Sequence, residues 1–127
     1  MIEYEIKNLV IPTSSHIPAI GSRLYIGTIP DQVTYPCAVM FSISRNEMQE
    51  AEVMTERVQF SCYADNLSSA TDIADAIRDK VKRFYGNPST FSTYTIMHSI
   101  YDNMVWLYDS SVLKHVKILD MIFIYRR

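Results

Sequence analysis

The side chains that could do nucleophilic, acid–base or metal chemistry are few in this sequence, and they stand apart. His16 lies among turn-forming residues, His98 inside an apolar segment and His115 at the start of another, with no ligand spacing among them. A zinc site wants cysteines or histidines paired at short intervals, and neither Cys37 nor Cys62 has such a companion. Both cysteines fall in apolar, strand-like stretches. In a reducing compartment they read as small buried hydrophobes, with a disulfide between them as the alternative. The string Ser14-Ser15-His16 sets hydroxyls beside an imidazole but lacks both a strained strand-to-helix turn and a partner acid, so it reads as a polar turn. The three glycines stand singly at Gly21, Gly27 and Gly86, which leaves no glycine-rich loop to cradle a phosphate. Asp72 and Asp75 are one helical turn apart, but their basic neighbours describe a solvated face and not a carboxylate dyad. No catalytic, cofactor-binding or metal-binding residue is expected, and the expected class is a non-enzyme.

The charge balance narrows the partners. Twelve lysines and arginines against fourteen acids give a formal net charge of −2, and the basic residues are interleaved with acids along the chain. Displacing counterions from nucleic-acid phosphates needs a concentrated basic surface, and only Arg126 and Arg127 form a basic pair. Tyr63, Tyr94, Tyr101, Trp106, Tyr108 and Tyr125 fall in or beside strand-like segments. They are interleaved with Asp, Ser, Thr and Met, not with the Lys and Arg of a base-stacking sheet. Core and subunit-interface roles fit them better, and nine tyrosines and seven methionines suit a protein that assembles. The early acids Glu3 and Glu5 oppose a secretory signal, and no apolar run approaches the roughly 20 residues that span a bilayer. A soluble protein made in a cytoplasm is expected, and 127 residues suit one domain with one core.

The elements that must position these residues follow from periodicity. From Ser68 to Tyr85, Ala70, Ile73, Ala74, Ile77, Val81 and Phe84 recur on one face of a helix. Ser69 and Asp72 resemble a capping box, Asp72 and Asp75 sit early, Lys80, Lys82 and Arg83 sit late, and Gly86 with Pro88 predicts the stop. Ala38–Ser44 and Glu56–Ala64 alternate as strands, and Arg45 to Thr55 between them, polar and long, predicts a protruding hairpin loop. Thr93–Ile100 and Met104–Tyr108 predict strands, with Asp102-Asn103 as a turn or bulge. Val112–Tyr125 is a nearly continuous apolar run that suits a central strand covered on both faces, or a buried helix. Near the N-terminus, Ile2, Ile6, Leu9 and Val10 fit a short helix ended by Pro12, and Leu24–Ile26 a short strand. The fold class expected is α+β, a single antiparallel-dominated sheet with one long and one short N-terminal helix on one face.

Three stretches resemble the small tail-terminator and tail-completion proteins of long-tailed bacteriophages and related prophages. They are Tyr35-Pro36-Cys37-Ala38-Val39-Met40-Phe41; Arg57 to Asp65 running into the Ser68–Phe84 helix; and Tyr101-Asp102 with the closing His115–Tyr125 segment. The likeness is one of layout over about residues 20 to 127. The short first helix, interrupted by Pro12, departs from the long one often seen in that family. The resemblance implies a virion subunit that forms a ring, commonly of six, on the end of the tail tube protein. It stops tube growth and presents the joining surface to the head-completion or connector protein. DNA would pass through the lumen without specific binding, no membrane is involved, and no cofactor or catalytic residue is carried over. On that reading the acidic loop with Glu47, Glu50, Glu52 and Glu56 lines the lumen or meets the tube, since a DNA channel works best when its wall does not hold phosphate. A solvated loop is the plain alternative for those acids. For the whole chain the alternatives are a head-closing adaptor of the same neck and a small ferredoxin-like ligand-binding module.

Overall fold

A computed structural model describes residues 2–10, 20, 21, 23–48, 52–82, 84–86 and 94–126. Along the chain these form α1 (Ile2–Val10), β1 (Leu24–Ile26), β2 (Cys37–Met48), β3 (Val53–Ala64), α2 (Leu67–Val81), β4 (Thr95–Asp109) and β5 (Lys114–Arg126). The strands make one sheet in the order β1-β2-β3-β5-β4, parallel only between β1 and β2 and antiparallel elsewhere. The molecule is thus α+β with a strand-dominated mixed sheet, as its periodicities require. Among the described residues no helix is long and apolar enough to cross a membrane.

Alternation along the strands decides where the core lies. Met54, Glu56, Val58, Phe60, Cys62 and Ala64 of β3 are all buried, and their antiparallel partners include Leu119, Met121, Phe123 and Tyr125 of β5, which are buried with them. Directly opposed residues share a face. On that face α2 lays down Ala70, Ile73, Ala74, Ile77 and Val81, while Ile2, Ile6 and Val10 of α1 close the cluster beside α2, β1 and β2. Burying each isoleucine or valine among them stabilises the fold by about 1.5–3 kcal/mol.

The ends of α2 differ from expectation. Its N-cap is Asn66, whose Oδ1 accepts the Ser69 N–H at 2.8 Å, so the first turn is closed without a Ser69–Asp72 box. No acid stands in the first turn, while Arg78 and Lys80 occupy the last, so the dipole is matched at the C-terminus alone. The helix stops at Val81 and not at Tyr85. Lys82 turns to extended backbone, which lets Phe84 pack against the core and places Gly86, with φ of 111°, in a two-way main-chain bridge to Ile96 at 2.7 Å. Tertiary pairing has won over one more helical turn.

The expected loop from Arg45 to Thr55 is mostly strand. β2 and β3 stay paired as far as Met48 and Val53, with a bulge near Ile43, so the connection shrinks to 49–52. The polar residues that read as loop belong to a strand whose outer edge faces solvent. Thr95 to Asp109 is one strand, and Asp102 marks a bulge within it and not a turn. β5 is the strand expected from the last apolar run, flanked by β3 and β4, but its two faces differ. Leu119, Met121, Phe123 and Tyr125 are buried beneath helices, while Ile118, Ile122 and Ile124 are only partly covered.

Candidate assembly surfaces

The four glutamates do not form one loop. Glu47 is exposed on β2 and Glu52 is exposed in the turn, at a φ of 52°. Glu50 lies outside the described residues. Glu56 is wholly buried in β3 on the helix-covered face, where its Oε1 accepts hydrogen bonds from Arg45 Nε and from the Tyr125 hydroxyl, the latter at 2.9 Å. The hydrogen bond to Glu56 holds the Arg45 guanidinium above its ordinary pKa. Burial, then the same carboxylate, pushes the Tyr125 hydroxyl up. Glu56 is therefore an anchor between β2, β3 and β5 and faces no lumen. Its parity with Val58, Phe60 and Cys62 was the signal for an inward residue, and its charged type masked it.

The second surface is the sheet face away from the helices. Register sets Ile100 of β4 against Ile122, Val105 against Ile118, and Leu107 against Val116, with the polar pair Asn103 and Asp120 between the first two, so aliphatic pairs flank a polar centre on this face. No helix among the described residues covers it. Arg57 reaches across to Asp102 in an ion pair that raises the guanidinium pKa, and burial raises the nearby Asp120 carboxyl. Exposed large aliphatic side chains gathered on one uncovered sheet face are a mark of surfaces that contact another macromolecule.

The third is the β4–β5 hairpin end. Trp106 Nε1 donates to His115 Nδ1 at 3.2 Å, and the two rings stack with centroids 5.9 Å apart. Tyr108 meets the same imidazole edge-on at 5.1 Å. Asp109 accepts the Ser111 N–H at 3.0 Å and its hydroxyl at 2.6 Å, which lowers the carboxyl pKa and fixes the turn. Lys114 joins Asp65 and lies 5.1 Å from the centroid of the Tyr35 ring.

Chemistry does not converge at any of these places. His98 and His115 lie far apart along β4 and β5, and His16 is outside the described residues. Burial pushes the Cys37 thiol up to about 11 and the Cys62 thiol higher, so neither is a ready thiolate at neutral pH. They sit on adjacent, not paired, positions of β2 and β3 and are free thiols. Among the described residues no three His, Cys, Asp or Glu side chains are grouped to hold a metal ion. An open groove of about 570 Å³ runs between the end of α2 and β4, where Lys82 and His98 stand beside Phe84, Met97 and Ile100. Among the described residues no carboxylate lines it to complete an acid–base pair.

No protein-family model matches the chain, and no curated protein matches it at a significant level.

Proposed function

We propose that this chain is a non-enzymatic structural subunit of the tail-terminator type: a ring that caps the tail tube of a long-tailed phage, ends its polymerisation and forms the joining surface to the connector. The observation that carries the reading is that Ile100, Val105 and Leu107 of β4 stay more than two-fifths exposed beside β5, on a sheet face that no helix among the described residues covers. A subunit waiting for neighbours carries such a surface, whereas a free monomer tends to avoid it. The scattered titratable groups support a contact role over catalysis. The near-neutral charge supports a lumen that lets DNA pass without holding it. Of the acidic residues, Glu47 and Glu52 remain available to that lumen or to the tube, and Glu56 does not. Synthesis in the host cytoplasm and residence in the virion neck follow from the same reading.

Native mass spectrometry of the protein, alone and mixed with a tail tube protein of a long-tailed phage, tests the proposal. A closed homo-oligomer, most simply a hexamer, that binds tube ends supports it. A monomer under both conditions overturns it.

A further inference from the structure

Among the described residues the sheet is open in part along two sides, the outer side of β2 and the outer side of β4. On one side, β1 covers β2 only from Ala38 to Met40, through the Ala38 N–H to Arg23 and the Gly27 N–H to the Met40 carbonyl. Past Met40 no described segment pairs with that side of β2 as far as Met48. On the other side, the start of β4 is covered by 84–86: Gly86 bridges Ile96, and Ser99 Oγ donates to the Phe84 carbonyl at 3.0 Å. From Ile100 to Tyr108 no described segment lies along β4.

That stretch of β4 lacks the usual protection of an edge. Native edges carry lysine, proline or inward charge to refuse a further strand. Between Asn103 and Tyr108 β4 reads Asn-Met-Val-Trp-Leu-Tyr, with no charge and no proline. Its bulges lie earlier, near Met97 and Asp102. Ile100, Tyr101, Val105, Trp106, Leu107 and Tyr108 are between 39% and 50% exposed. With an aromatic side chain alone worth 150–250 Å², these six present on the order of 500 Å². A standard interface takes about 800 Å² from each partner. The main chain of the strand and the neighbouring face of β5 can supply the remainder.

We infer that β4, from Ile100 to Tyr108, adds to the outer edge of β2, from Ser42 to Met48, in a second copy of this chain, so that the sheet continues from subunit to subunit. The polarity is right: β2 and β5 run one way, β3 and β4 the other, so like-oriented neighbours bring β4 and β2 together antiparallel. The charges are compatible as well. In the register that sets Asn46 against Val105, Arg45 meets Trp106 and Glu47 meets Met104, both in the uncharged half of β4, so no like charges are opposed. Two different edges in contact make a head-to-tail joint, which closes into a ring when the rotation between copies permits. The inference rests on the ring reading and gives it a specific seam.

Cysteine cross-linking of the full chain tests the seam. Asn46→Cys on β2 and Val105→Cys on β4 lie on the same open face of the sheet, with Asn46→Cys and Leu107→Cys as a second pair to allow for a shifted register. Under mild oxidation the doubly substituted chain is expected to give a ladder of covalent multimers beyond the dimer, and each single substitution none. A covalent dimer from Val105→Cys alone would mean two-fold β4–β4 pairing and overturn the inference. Absent cross-links from both pairs in a sample whose native mass shows an intact ring would overturn the seam and leave the ring reading standing. Neither cross-links nor any oligomer, with or without tube protein, would remove both.

Discussion

On one face of the sheet Phe60, Leu119, Met121, Phe123 and Tyr125 are sealed beneath two helices; on the other, Ile100, Val105 and Leu107 stay more than two-fifths exposed. The side chains are of the same chemical kind. On the covered face even a carboxylate is drawn in, with Glu56 Oε1 held by Arg45 and Tyr125. On the open face the polar groups Arg57 and Asp102 stay at the surface and pair there. The difference teaches that burial within one chain accounts for the first set of residues and not for the second. A single folded copy gains little from these exposed aliphatic side chains.

Substitutions on the two faces should separate accordingly. Phe60→Ala removes a fully buried ring and is expected to cost about 3–5 kcal/mol in chemical denaturation. A loss below about 1 kcal/mol would mean that the covered face is not the core. A pH series comes next in size. Cys37, wholly buried and opposite Tyr63, has its folded pKa raised from 9.0 to about 11. The folded state therefore holds this proton more tightly. Its contribution is complete below pH 9 and is lost as pH climbs toward 11, an effect of about 2–3 kcal/mol. Stability curves at pH 8, 9, 10 and 11 should flatten by that amount in Cys37→Ala, and equal slopes in both proteins would show that the thiol is not held away from water. Smallest are Val105→Thr and Leu107→Thr, expected to change the stability of the single chain by no more than about 0.5 kcal/mol each. The same pair should weaken self-association in sedimentation; a large loss of stability with unchanged association would erase the contrast between the faces.

The covered face was readable in the residues themselves. The spacing of Ala70, Ile73, Ala74, Ile77 and Val81 required the helix, and the run to Tyr125 required an interior strand. What the pattern could not convey was the exposed part of β2. Ser44 to Glu47 are polar because the strand edge stands in water, and polarity alone reads as loop. Glu56 failed for the opposite reason: its position in the alternation pointed inward, but its partner Arg45 lies eleven residues away and Tyr125 sixty-nine, and the contacts that permit burial exist only once three strands are aligned. The open face was legible as apolar sequence and illegible as surface, because the coverage expected on both sides of β5 is supplied on one.

The Gly86–Ile96 bridge has a consequence for register. An uncovered strand with a repeating apolar character invites slippage, since a neighbour shifted by two residues presents the same face. Here the donor and acceptor of Ile96 are already taken by Gly86, so an incoming strand meets a fixed end to the available ladder and cannot creep toward the start of β4. The short clasp after the helix thus acts as a stop, giving a seam built from nonspecific hydrophobic side chains a defined place to begin.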